Sequence, residues 1–320
     1  MQLWSAELEA MRAEARQAVA STMPALQALL APAGELPEDP VARALVMREQ
    51  FRKTYAPVPE AQERRIAGVD CRVFAPEGPA RAVYLHFHGG GMILGAPEMN
   101  DVANLELSRR FGVAVVSVDY RLAPEHPHPA GPDDGTAVAA WLVDHAEREF
   151  GSGRLLVGGE SAGGYMAAAV LLRARDELGA IRRFTGANLV YGVYDWGRSP
   201  SQRGTRPHQG PDLLDPEGIR SFVDCYLPGC SDDARRDPAI SPAFADLRGL
   251  PPQLVSVGTC DHLLDDNLFF ASRSAAAGNE VELFVAPDLP HGFGFVPCGL
   301  TARWQERTAR WFADVLARAS

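Results

Sequence analysis

The 320-residue chain holds five cysteines and no Cys-x-x-Cys pair. An odd count without that spacing gives neither a disulfide framework nor a zinc ribbon. Cys71, Cys225, Cys230, Cys260 and Cys298 read instead as reduced, mostly buried thiols, with a Cys225–Cys230 pairing left open. Long hydrophobic runs are also missing: no apolar stretch reaches the roughly 18 residues of a membrane span. The first residues, Met-Gln-Leu-Trp-Ser-Ala-Glu-Leu-Glu, lack a basic segment followed by an apolar one, so no signal peptide is expected. A soluble, cytoplasmic protein without membrane association follows as the expectation. Positive charge is in deficit, with 31 Lys and Arg against 41 Asp and Glu and a net charge of −10. That balance argues against a nucleic-acid partner, which needs a basic patch. Repeats and low-complexity tracts are absent.

What is present is an ordinary globular balance of 46% hydrophobic and 22% charged residues, which excludes wholesale disorder. The length exceeds the roughly 250 residues at which single cores stop growing. One large α/β domain with an appended cap, or two domains, fits that size. The first 55 residues read as helical, being rich in Ala, Leu, Glu, Arg and Met up to Ala20 and again from Val41 to Arg52. Pro24, Pro32, Pro37 and Pro40 are expected to break this segment into short pieces.

From about Arg64 the texture changes to short β-rich runs bounded by Gly and Pro. These are Val69–Phe74, Val83–Phe87, Val113–Val118, Leu155–Val157, Ala187–Val193, Leu254–Val257 and Val281–Val285. Several are continuously apolar, as expected of strands buried on both faces of a sheet. Helical stretches lie between them, at Asn100–Arg110, Asp133–Glu149, Ala162–Leu178, Asn267–Ala277 and Thr301–Ala319. The alternation predicts an α/β fold with a mostly parallel, doubly wound sheet. Residues 195–250, rich in Pro, Gly, Asp and Arg, interrupt it, with one amphipathic piece at Glu217–Tyr226. An insertion of that length after a strand usually forms a lid or specificity loop.

The sharpest chemical signal is Gly159-Glu160-Ser161-Ala162-Gly163-Gly164, placed between a predicted strand and a predicted helix. That is the setting of a G-x-S-x-G nucleophile elbow, a sharp turn that thrusts the serine into the open at a helix N-terminus. No Lys follows, so a phosphate loop is excluded. A second signal, His88-Gly89-Gly90-Gly91, follows the strand Val83–Phe87. Backbone N–H groups of Gly89, Gly90 and Gly91, together with that of Ala162, are candidates for an oxyanion hole. Ala162 opens a helix, so its N–H has no intrahelical acceptor. His88 reads as a brace for the glycine loop.

The chain order that accompanies such an elbow is Ser, then acid, then His. Of eight histidines only His208, His262 and His291 lie beyond Ser161. His291, in Pro-His-Gly-Phe after the strand Val281–Val285, is the expected base. His262 abuts an acid at the end of a different strand, and His208 falls in the insertion. Asp261 is the nearest carboxylate past the strand Leu254–Val257 and is the expected acid. Asp265 and Asp266 read as the start of a helix, where acids complement the dipole. Asp288 lies only three residues before His291, which places it awkwardly for reaching the imidazole.

His88–Gly91, Gly159–Gly164, Asp261 and His291 together resemble the hormone-sensitive-lipase-like esterases, family IV, of the α/β-hydrolase superfamily. The segment Asp119-Tyr120-Arg121-Leu122-Ala123-Pro124-Glu125 strengthens the likeness. The resemblance covers about Val69 to the C-terminus. It implies an α/β-hydrolase fold, a serine carboxylesterase acting on short-chain acyl esters, and no metal or organic cofactor. It further implies a helical cap made of residues 1–55 and the 195–250 insertion over a catalytic domain of residues 56–320. The family's homodimers suggest the Val281–Val285 strand and the last helix as contact surfaces. Family members usually carry Asp before the nucleophile, where this chain has Glu160. Amidase or lactonase chemistry would use the same triad, and a non-catalytic ligand receptor on this fold remains a rival.

Overall fold

The computed structural model describes residues 3–31, 34–204 and 212–318. Eight strands form one sheet: β1 (Gln62–Ile66), β2 (Val69–Phe74), β3 (Val83–Phe87), β4 (Ala114–Val118), β5 (Leu155–Glu160), β6 (Phe184–Val190), β7 (Gln253–Gly258) and β8 (Val281–Ala286). Their order is β1-β2-β4-β3-β5-β6-β7-β8. β2 alone is reversed, pairing antiparallel with both β1 and β4, and every other pairing in the sheet is parallel.

The seven strands expected from sequence are found with small boundary shifts, because core strands are mostly apolar; the buried polar exceptions His86 of β3 and Ser117 of β4 meet each other at 2.9 Å. β3 and β4 are buried at every position. The sequence reading missed β1. Its residues Gln-Glu-Arg-Arg-Ile bury only Ile66 and pair on one side only. Charge on an edge strand hides it from a hydrophobic pattern and also protects the edge from aggregation.

Helices cover both faces. α5 (Ala130–Phe150), α6 (Ala162–Asp176) and α8 (Leu264–Ala276) pack on one face, where Leu85, Val116 and Val157 meet Val138, Leu142 and Phe270. α4 (Asp101–Phe111) and α9 (Gly299–Ala317) pack on the other, against Tyr84, Leu156 and Leu254. Successive residues of one strand, such as Leu156 and Val157, serve opposite layers, as the pleat requires.

The N-terminal segment forms α1 (Ala6–Ala10), α2 (Arg12–Leu30) and α3 (Pro40–Arg52). Pro24 was expected to end a helix, yet it lies inside α2. Its exposed position leaves the unpaired backbone to solvent instead of to a buried neighbour. Pro40 opens α3 behind the Asp39 cap, where a missing N–H costs nothing. Pro32 lies outside the described residues. α2 packs Ala15, Val19 and Met23, spaced by one helical turn, against Leu289, Phe293 and Leu300. All five cysteines are free thiols, Cys225 and Cys230 included. Among the described residues no helix is long and apolar enough to cross a membrane.

Candidate active site

The C-terminal ends of β3, β5, β7 and β8 converge on one point. β5 runs into α6 through Ser161, whose backbone sits at φ 57° and ψ −117°. A non-glycine residue in that region is strained, and the surrounding packing must hold it there. The packing is tight. A Cβ added at Gly163 would fall 1.9 Å from the Phe87 carbonyl oxygen, and one at Gly159 would fall 2.1 Å from it. Only glycine lets β3 and the elbow approach so closely.

The turn aims Ser161 at His291. Their Oγ and Nε2 atoms are 2.9 Å apart. On the far side of the ring, His291 Nδ1 donates to Asp261 Oδ2 at 2.9 Å. The other Asp261 oxygen accepts the Leu263 N–H at 2.8 Å. Both carboxylate oxygens are therefore committed, and the side chain is fully buried. With the proton fixed on Nδ1, Nε2 is left to accept from the serine hydroxyl. Burial pulls the His291 pKa down. The Asp261 charge and hydrogen bond, helped by Asp212, outweigh that pull and hold it above 6.5. The sequence reading did not find Tyr191. Its ring meets the imidazole edge at 4.8 Å and limits ring rotation. Its only sequence cue is its place at the end of an apolar strand.

A family model described as alpha/beta hydrolase fold matches residues 84–295. The chain belongs to the α/β-hydrolase fold family. Carboxylesterase NlhH of Mycobacterium tuberculosis (strain ATCC 25618 / H37Rv) is 35% identical over 66% of this chain and 66% of its own length. The match thus spans just under two thirds of that relative. Esterase LipI of the same strain is 36% identical over 71% of each chain. The crystal structure of a hormone-sensitive lipase from a metagenome library has a TM-score of 0.77 at 29% identity, covering 96% of this chain and 98% of that one. The likeness to hormone-sensitive-lipase-like esterases read from the motifs holds.

In this α/β-hydrolase the glycine loop lies beside the elbow. The N–H groups of Gly89, Gly90, Gly91 and Ala162 find no acceptor among the described residues. His88 is sealed beneath them. It stacks on Tyr120 at 4.3 Å, its Nδ1 lies 2.7 Å from the Gly89 carbonyl, and Tyr120 donates to the His88 carbonyl at 2.7 Å. Burial lowers the His88 pKa to about 3, so it stays neutral. That fits a brace. The charges of the Asp119–Glu125 stretch brace nearby loops: Arg121 pairs with Asp134, and Glu125 with Arg48 of α3. Glu160 sits under the nucleophile, within 3.2 Å of His86 Nε2 and 3.3 Å of Asn100 Nδ2.

The other sequence candidates lie apart. His262 sits 3.1 Å from Asp212, whose hydrogen bond raises the histidine pKa, and its second nitrogen meets the Ser201 carbonyl at 2.9 Å. His208 lies outside the described residues. Asp265 and Asp266 open α8 as expected. Asp266 also accepts from the backbone of Tyr194 and Asp195 and from the side chains of Ser199 and Gln202. Asp288 does not reach the imidazole and pairs instead with α2.

A cavity of about 740 Å³ opens over Ser161 and His291. Its floor is the glycine loop. Its walls include Leu26, Leu29 and Leu30 of α2, Met47 and Phe51 of α3, and Ile219, Phe222 and Val223 of α7 (Pro216–Tyr226). α2, α3 and α7 lie in segments with many polar residues, but the side chains named here, which they turn to the cavity, are apolar. An amphipathic helix hides this from a residue count.

Proposed function

We propose that this α/β-hydrolase is a serine carboxylesterase that hydrolyses short-chain acyl esters through an acyl-enzyme. One observation carries the reading: the unbroken line from Ser161 Oγ through His291 to Asp261, with both links at 2.9 Å. Ser161 attacks the ester carbonyl as His291 takes its proton. Asp261 fixes the tautomer and stabilises the imidazolium. The N–H groups of Gly89, Gly90, Gly91 and Ala162 stabilise the tetrahedral oxyanion, each donor being worth about 10²–10³ in rate. His291 then protonates the departing alcohol. The same histidine deprotonates the water that releases the acid and restores Ser161.

We also propose that residues 1–55 and the 195–250 insertion cap a catalytic domain of residues 56–320. Support comes from the cavity walls, which α2, α3 and α7 supply. Within the insertion the lining comes from Trp196, Gln202, Asp212, Leu213, Leu214 and α7, while the stretch around Pro242–Phe244 packs on α6 and α8 instead. A short acyl preference is supported by the family resemblance and by the Phe222 ring, which lies directly against Gly91 beside the nucleophile. A homodimer through β8 and α9 fits the place of β8 at the sheet edge.

The test is a panel of p-nitrophenyl esters from acetate to palmitate, with matched amides and lactones, run on wild type and Ser161→Ala. Turnover is expected to depend on Ser161, to favour esters and to fall steeply above about eight acyl carbons. Full activity in Ser161→Ala would overturn the mechanism. Preference for amides, lactones or long acyl chains would overturn the substrate class.

A further inference from the structure

His291 hangs from a short loop between β8 and α9, and that loop has an unusual anchor. Asp288, three residues before the histidine, has φ 60°. Its N–H donates to Thr259 Oγ1 at 2.8 Å. Its carboxylate is gripped from α2, about 275 residues away in sequence. Arg12 contacts it twice, through Nε at 2.8 Å and Nη2 at 3.0 Å, and Arg16 Nη1 contacts it at 2.5 Å. These guanidinium groups draw the Asp288 pKa below its ordinary value against the opposing effect of burial. Bidentate contact of this kind fixes direction as well as distance. The neighbouring residue, Leu289, is fully buried against Ala15, Val19 and Met23 of the same helix. Glu14 of α2 adds a bond to the Gly299 N–H, at the start of α9.

The loop is thus gripped from below by the Thr259 and Cys260 backbone turn and from above by α2. The far end of α2 walls the cavity with Leu26, Leu29 and Leu30. We propose that Arg12 and Arg16 are positioning residues for His291, acting through Asp288, so that the helix walling the substrate cavity also sets the catalytic base. Neither arginine touches substrate. Their effect is on where Nε2 stands relative to Ser161 Oγ. The inference rests on the esterase reading above.

The decisive variant is Asp288→Asn. Asn tolerates the left-handed backbone and keeps the shape, so the variant removes the charge and one of the two acceptor oxygens that hold Arg12 and Arg16. Steady-state kinetics on p-nitrophenyl butyrate, normalised to titrated active sites, should show kcat reduced about 10- to 100-fold, the scale of an ångström-sized misplacement of a catalytic group. KM should stay within about twofold, because the cavity walls are intact. The acid limb of kcat should move to lower pH, since an imidazole with a loosened grip on Asp261 loses what raises its pKa. Arg12→Ala with Arg16→Ala should match this loss, and adding Asp288→Asn should lower kcat no further. Arg12→Lys with Arg16→Lys should recover much of it.

Wild-type kcat with an unmoved acid limb in folded Asp288→Asn overturns the proposal, as does a loss explained wholly by fewer titratable sites. If Asp288→Asn fails to fold, Arg16→Ala carries the test, because that side chain is 58% exposed. A severalfold lower kcat with the same shift in the acid limb supports positioning, and unchanged kinetics refute it. Ser161→Ala, run in parallel, separates the two ideas. Absence of Ser161-dependent turnover removes the esterase reading, whereas robust turnover that ignores Asp288 removes only this inference.

Discussion

Replacing Asp261 by Asn tests the proposed relay at its most constrained point. The carboxylate has two oxygens and both are in use, one by the His291 Nδ1–H and one by the Leu263 N–H. Asn offers one acceptor and one donor group. If its oxygen stays on the Leu263 N–H, its NH₂ faces His291 Nδ1. The ring must then present a lone pair at Nδ1 and carry its proton on Nε2, where it can no longer accept from Ser161. If the amide flips, its NH₂ meets the Leu263 N–H inside a buried site, which leaves two donors facing each other. Packing favours the first arrangement, and the result is an ordered enzyme with the wrong tautomer. In serine hydrolases the loss from that tautomer is about 10⁴ in kcat, or about 5 kcal/mol of transition-state stabilisation.

The pH profile adds a second signature. In the wild type Asp261 holds His291 above 6.5, so kcat should rise through an acid limb placed above that value as the base becomes neutral. In Asp261→Asn burial acts unopposed by that charge, and the residual limb should fall below the wild-type one. The assay is kcat on p-nitrophenyl butyrate between pH 5 and 10, normalised to sites labelled by a fluorophosphonate in the wild type and to folded protein in the variant. A variant within tenfold of wild type across that range would refute the argument from tautomer and geometry.

Two further outcomes follow from packing. Gly163→Ala should be recovered poorly or melt far below wild type. Its Cβ would lie 1.9 Å from the Phe87 carbonyl oxygen, an overlap that backbone can relieve only by separating β3 from the elbow. A melting temperature equal to wild type would show that the close approach is not needed. Asp266→Ala should cost about 3 kcal/mol, because it strands the buried Tyr194 and Asp195 N–H groups and the Ser199 and Gln202 donors. Denaturant unfolding that gives the same midpoint as wild type would contradict that count.

The sequence exposed the sheet and the elbow because their physics is local. A strand sealed on both faces is mostly apolar, and a serine on this strained turn needs glycines two residues to either side. The proposed acid and base, Asp261 and His291, could be picked out for a related reason: each is the first suitable group past the end of a core strand. β1 escaped notice because an edge strand is free to be charged, as Gln62–Ile66 is. Pro24 misled because the rule that proline breaks helices assumes a buried or unsolvated backbone, and its side of α2 is exposed. The amphipathic piece that forms α7 was legible, but nothing local showed that its apolar face looks onto Ser161. The Arg12 and Arg16 grip on Asp288 had no local trace, since an ion pair that closes over most of the chain leaves no periodicity behind.

The order of the strands has a further consequence. Ser161 rises from β5 near the middle of the sheet, while His291 follows β8, one of its two edge strands. Edge elements open at lower free energy than central ones. The proposed nucleophile and base therefore belong to regions of unequal local stability, and heat or mild denaturant should silence the proposed relay while most of the sheet still stands. On the proposed mechanism, loss of activity would report the integrity of one sheet margin more than the survival of the fold.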